Sequence, residues 1–342
     1  MSEKNQPEVT AVGIGSAGCK IVSLLSRKSL LVDGYLYVSC DRGDLSNSEP
    51  EESVLVESPV DQKLTPSMVR GLAQSSIDKI RESLRGSKVV FVVAGLGGAT
   101  GTGLSPLVAS IAQESGAITV GVAVMPFEFE KRMKFYAGVS LRRLRAASRG
   151  VIVIDNDTLM RSSPGDSTLT GLYDSANKQA VKALGSLLSR ASGSSVALGL
   201  NKVLGTVLQD GYSLLGVSNS GAVDKAEDAL AGAVLSLGKL AEAKEASRAV
   251  VILNGNSTLS GQEVGLVVGR LGSMINNQSV DVEYGVSYSG SAQLQVSVLA
   301  SGFRSTKYDD YDPLNKALKG RVIDDDMDTS LSEGLEALQP CD

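Results

Sequence analysis

Residues 9–14 form a short β-branched run ending in glycines, and Ile21, Val22, Leu24 and Leu25 then recur at helical spacing. A second apolar run covers 31–39 and stops at Asp41. Val69, Leu72, Ile77, Ile80 and Leu84 predict one amphipathic helix over 67–85. Residues 89–94 are apolar without alternation, the signature of a parallel strand buried on both faces. A glycine cluster follows, then a helix over 104–115, a β run over 117–125, a basic helix to 148 and a β run over 150–155. Strands alternating with helices predict an α/β, Rossmann-like nucleotide-binding domain with a parallel sheet over 1–170.

A long helix is expected from 171 to 189, and the Ser/Gly stretch 191–195 breaks it, giving a central helix and linker over 171–195. A second, smaller α/β domain is expected over 196–303. It would hold helices over 223–237 and 260–274 and β runs over 249–254, 280–288 and 294–300. Beyond 303 the acids Asp309, Asp310, Asp312, Asp324, Asp325, Asp326 and Asp328 accumulate with few large apolar residues. This predicts a disordered acidic tail over 304–342.

Composition narrows the chemistry. The 342 residues include 37 glycines, 3 cysteines and 0 histidines. Without imidazole there is no Ser-His or Cys-His pair, no imidazole base and no His-ligated zinc or haem. Cys19, Cys40 and Cys341 are scattered, which excludes a CxxC site and a disulfide framework. A net charge of −5 argues against a nucleic-acid partner. The basic run Lys131, Arg132, Lys134, Arg142, Arg143, Arg145 and Arg149 alternates with Val139, Leu141, Leu144 and Ala147, as on an amphipathic helix. The polar start and short apolar runs predict a cytoplasmic protein without direct membrane insertion.

Two glycine-rich segments carry the candidate chemistry. Gly13-Ile14-Gly15-Ser16-Ala17-Gly18 follows a strand and opens a helix, where backbone N–H groups and the helix dipole attract phosphate. With Asp41 ending the next strand, it would by itself suit a dinucleotide, hence an NAD(P) oxidoreductase, or merely a tight turn. The other segment is Gly95-Leu96-Gly97-Gly98-Ala99-Thr100-Gly101-Thr102-Gly103, five glycines and two threonines in nine residues. That density costs chain entropy unless backbone wraps a di- or triphosphate, and it lacks the GxxxxGK[ST] of a Walker loop. An oxidoreductase leaves this segment unexplained.

Together these segments resemble the tubulin/FtsZ superfamily. Residues 95–103 are similar to the signature GGGTG[ST]G with Ala99 for one glycine, and residues 13–18 to the family's opening phosphate loop, with Lys20 for the usual Asn. Pro126-Phe127-Glu128-Phe129-Glu130, residues 153–159, Tyr173-Asp174-Ser175-Ala176-Asn177 and Ala300-Ser301-Gly302-Phe303 are similar to further family motifs, in order. The resemblance implies GTP or GDP, with Mg²⁺ an open addition. The implied nucleotide-binding residues are Gly15, Ser16, Ala17, Gly18, Lys20, Asp41, Gly95, Gly97, Gly98, Ala99, Thr100, Gly101, Thr102, Gly103, Glu130, Lys134, Asn156, Tyr173 and Asn177. Tyr173 would stack on the base and Asn177, one turn on, would bond its edge; a packed Tyr and a capping Asn are the plain alternative. Glu130 would meet the ribose and Lys134 the phosphates, or the two form an ordinary ion pair. Ala99 is tolerable in the cradle if its φ is negative.

The chain departs from the family where hydrolysis occurs. The family inserts an acidic loop beside the neighbouring subunit's phosphate, but no Asp or Glu occurs between Asp174 and Asp210, and 197–204 reads ALGLNKVL. A filament subunit with weak or absent hydrolysis is expected. The alternatives are turnover completed by a partner's acid or by a relocated acid such as Asp210, or a non-polymerising regulator. The segment 64–71 has one glycine where the family has several, so coupling of nucleotide state to assembly is open. Implied partners are further copies head-to-tail, other FtsZ-like subunits, or adaptors on the tail, where Leu331, Leu335 and Leu338 could line a short helix.

Overall fold

The buried β-branched run Val9–Ile14 forms β1, and its last residue passes directly into α1 (Gly15–Leu25). In this computed structural model residues 8–314 are described, apart from 47, 50–51, 59–62, 161–167, 191–194, 221–225, 257–258 and 289–292. The tail beyond 314 and most of the 191–195 break thus lie outside the described residues.

After α1 come β2 (Gly34–Ser39), β3 (Ser53–Leu55), α2 (Pro66–Leu72), α3 (Ile77–Ser83), β4 (Val89–Gly95), α4 (Ala99–Glu114), β5 (Ile118–Met125), α5 (Lys131–Ala146) and β6 (Gly150–Asp155). Then follow α6 (Asn156–Met160), α7 (Leu169–Leu187), α8 (Leu200–Val207), β7 (Tyr212–Ser220), α9 (Ala226–Gly238), β8 (Arg248–Gly255), α10 (Gly261–Met274), β9 (Asp281–Tyr288) and β10 (Leu294–Phe303).

One ten-stranded sheet runs β3-β2-β1-β4-β5-β6-β7-β10-β8-β9. It is parallel except at β10, which is antiparallel to β7 and β8. The seam between halves is narrow, since β6 meets β7 through Ile152↔Ser213 and Val153↔Leu214. Apolar side chains of α1, α7 and α8 cover one face, and those of α4, α5, α9 and α10 cover the other. The strands are buried on both sides, which explains their unbroken apolar sequences. Strand order reverses at β1 and β4, and in parallel α/β sheets such a reversal opens a crevice beyond the strands' carboxyl ends.

Three expectations change. The single helix over 67–85 is α2 and α3 joined by a 3-10 turn at Ala73–Ser76, where the Ser75 hydroxyl bonds the Leu72 carbonyl at 3.1 Å and competes with the helical ladder. The helix placed at 104 begins at Ala99. The strands β3 and β7 and the eight-residue α8 were not predicted, because three residues, a Ser- and Gly-rich strand and two helical turns carry no readable period.

A further expectation changes: the tail expected to be disordered from 304 is folded over 304–314, where after β10 a 3-10 turn at Lys307–Tyr311, capped by Thr306 and with Tyr308 buried, straps back over α5. Buried Asp155, at the end of β6, accepts from Lys307 Nζ at 2.6 Å and from the Tyr308 hydroxyl, and Arg142 of α5 bonds buried Asp312.

Candidate nucleotide-binding site

The two glycine segments meet because glycine lets backbone touch backbone. A Cβ on Gly18 would lie 2.2 Å from the Val93 carbonyl oxygen, and one on Gly101 would lie 2.1 Å from that of Gly95. These contacts draw the N-termini of α1 and α4 together over β1 and β4. The first N–H groups of a helix have no intrahelical acceptor, so both termini present donors to one cleft. Ala99 is helical with ordinary negative φ, since Asn276 is the only described non-glycine residue with positive φ.

The cleft holds about 560 Å³ and includes Gly15, Ser16, Ala17, Lys20, Asp41, Gly95, Gly98, Ala99, Thr100, Gly101, Glu130, Asn156, Tyr173 and Asn177 in its walls. That volume suits a small-molecule ligand. Opposite the helix termini, Tyr173 and Asn177 share a face of α7. The Tyr173 hydroxyl donates to Glu130 Oε1, while Glu130 Oε2 accepts from the Phe127 N–H at 2.8 Å. Burial first, and then this bond, hold the Tyr173 phenol well above its ordinary pKa, so it stays a neutral donor. Phe127 meets the Tyr173 ring edge-on at 5.5 Å. The buried Asn156 Oδ1 has no hydrogen-bond partner among the described residues and belongs to a cleft-wall residue. Such an atom favours a polar ligand that can supply a donor.

Five expected residues stand elsewhere. Gly18 lies beneath the loop, and a Cβ on Gly103 would be 2.6 Å from the Pro66 carbonyl oxygen, so these two glycines serve packing. Thr102 is buried, and its hydroxyl accepts the Gly97 N–H at 2.8 Å, bracing the turn from behind. Lys134 lies over the Tyr311 ring at 5.1 Å. Glu130 precedes α5 with φ −82 and ψ 55, so the helical i,i+4 relation to Lys134 does not extend to it. The structure adds Asp44, Met133, Thr170 and Asp174, which no motif marked. Lys20 pairs with Asp174 across the cleft edge, and this bond holds the Asp174 carboxyl below its usual range.

Among the described residues the cleft does not assemble an all-protein Mg²⁺ cage, which this ion does not need where phosphates and water complete its shell. No group of three candidate ligands occurs among the described residues. Asp44 is bonded by the Ser39 hydroxyl at 2.6 Å and Asp41 by the Gly43 N–H at 2.7 Å. Burial raises the Cys19 thiol to about 12, which excludes it as a nucleophile.

Residues 8–164, the part of the chain that builds both loops, match the family model described as Tubulin/FtsZ family, GTPase domain. The chain belongs to the tubulin/FtsZ superfamily. It is 27% identical over 342 residues to cell division protein FtsZ of Rickettsia bellii, covering 95% of this chain and 73% of that protein. It is 32% identical over 247 residues to cell division protein FtsZ 1 of Pyrococcus horikoshii, covering 69% of this chain and 66% of the relative. A GTPγS-bound protofilament of CetZ2 from Haloferax volcanii has the same fold, with a TM-score of 0.70 at 20% identity over 92% of this chain and 98% of that one. Membership of a family whose model describes a GTPase domain makes a nucleotide the expected ligand. Among the described residues no helix is long and apolar enough to cross a membrane.

Proposed function

We propose that the chain binds GTP or GDP across the two glycine loops, assembles head-to-tail into filaments, and turns nucleotide over weakly or not at all. The observation that carries the binding is the convergence of two helix N-termini opposite Tyr173 and Asn177 in one cleft. The termini receive the phosphates, Tyr173 stacks on the base, and Asn177 and Asn156 bond polar edges. Assembly rests on likeness to proteins such as CetZ2, solved as a protofilament. A head-to-tail contact is heterologous and propagates rather than closes.

Weak turnover is inferred from α8, which opens with Leu200, Asn201 and Lys202, in the segment that the sequence resemblance aligns with the family's acidic loop. An alternative reading has one specific support: Lys202 bonds Glu283 of β9 at 2.6 Å, so a carboxylate lies beside the α8 start as a relocated acid.

The test is titration with GTP, GDP and NAD, with sedimentation and phosphate release measured in parallel. Tight guanine-nucleotide binding and pelleting filaments with little phosphate release are expected, and Tyr173→Ala should weaken binding by about 5- to 150-fold. NAD binding in place of GTP would overturn the reading. Turnover at an ordinary GTPase rate that falls in Glu283→Gln would favour the relocated acid.

A further inference from the structure

On the face away from α5, the end of α1 and the middle of α7 enclose an open groove of about 460 Å³. Its walls are Leu24, Arg27, Lys28, Lys178, Val181 and Lys182. Lys178 and Lys182 are one turn apart on α7, so both point along the same groove. None of the four cations forms an ion pair among the described residues. Asp174, one turn above Lys178, is already held by Lys20. Burial, and next the charge of Lys28, lower the Lys182 pKa, as expected where cations crowd without a counter-ion. Leu24 and Val181 give this positive groove an apolar floor.

The chain as a whole is acidic, with 38 Asp and Glu against 33 Lys and Arg. Its densest acidic stretch is 324–328, Asp-Asp-Asp-Met-Asp, which sets one flexible apolar side chain among four carboxylates. We propose that the groove docks the acidic segment 324–328 of a second copy of this chain. Four carboxylates meet four cations, and Met327 meets the floor formed by Leu24 and Val181. A second copy is the favoured donor: Leu314 follows the strap on α5, across the sheet from α1 and α7, so the chain's own segment would have to round the sheet edge within about 35 Å of fully extended chain. The contact uses neither glycine loop.

The test uses the full chain as an equal mixture of unlabelled and ¹⁵N-labelled protein at low salt. A carbodiimide joins lysine amines to carboxylates, and mass spectrometry maps the products. Lys178 and Lys182 are expected to couple to 324–328 in mixed light–heavy pairs. The yield should fall at least about fivefold in 0.5 M salt. It should fall as far when all four aspartates are changed to Asn. Lys178→Glu, at an exposed position, should also lower coupling to Lys182, because it takes the groove from four positive charges to a net of two. Coupling only within one chain would overturn the proposal. So would no coupling of the groove lysines to 324–328, or a yield unchanged by the Asn variant.

Discussion

Glycines of the two loops do different work at the scale of single residues. At Gly18 a methyl group would collide with the Val93 carbonyl oxygen, whereas Gly98, at φ −75, has nothing within 4 Å of its virtual Cβ. Gly18→Ala should therefore lose about 3 kcal/mol or fail to fold, and Gly98→Ala should stay within about 0.5 kcal/mol, by denaturant unfolding. Equal effects would mean that the loops do not interlock. Asp157 offers a pH test. Burial, then the charge of Asp155, raise its carboxyl above the ordinary value of 3.8, although the Glu128 N–H donates to it at 2.9 Å. The folded chain thus holds this proton more tightly than the unfolded one, so ionisation costs stability as pH rises through the folded pKa. Asp157→Asn should raise Tm at pH 7 and leave it unchanged near pH 3, below the unfolded pKa. A pH-independent difference would assign the effect to the hydrogen bond instead.

Among the elements, α8 is the one on which the proposed weak turnover rests. Its buried side chains Val203, Leu204, Thr206 and Val207 seat it on the sheet, while Asn201 and Lys202 are exposed. If this exposed start meets a neighbouring subunit's phosphates, Asn201→Asp should raise phosphate release at least about tenfold by orienting water. An unchanged rate in assembled filaments would show that α8 does not reach the nucleotide. The elements legible in the sequence, such as β4 and α7, are long or continuously apolar. Those that were not, β3, β7 and α8, owe their conformation to neighbours: β7, for example, is held by the ladder that β10 forms along its length.

Across the whole molecule, the strap after β10 ties the second half to the first beside the cleft. Asp155 is bound by the strap, and Asn156, the next residue, is in the cleft wall. Arg142→Ala leaves Asp312, 2% exposed, without its cation. We expect a loss of about 2 kcal/mol, discounted from a fully buried pair because Arg142 is partly solvated, with faster amide exchange in the strap and in β6. Slow exchange retained in both would mean that the strap is held by packing alone. The sequence by itself determined the alternation of strand and helix, the two glycine-rich loops, the Tyr173–Asn177 face and the absence of Asp and Glu between Asp174 and Asp210. Each is a local pattern, readable from spacing within a few turns. Only the tertiary structure decided which glycines face ligand and which face packing, that Lys134 turns to Tyr311, and that Lys20 meets Asp174. These contacts join residues far apart in the chain, and their energies depend on shape and burial that no local period encodes.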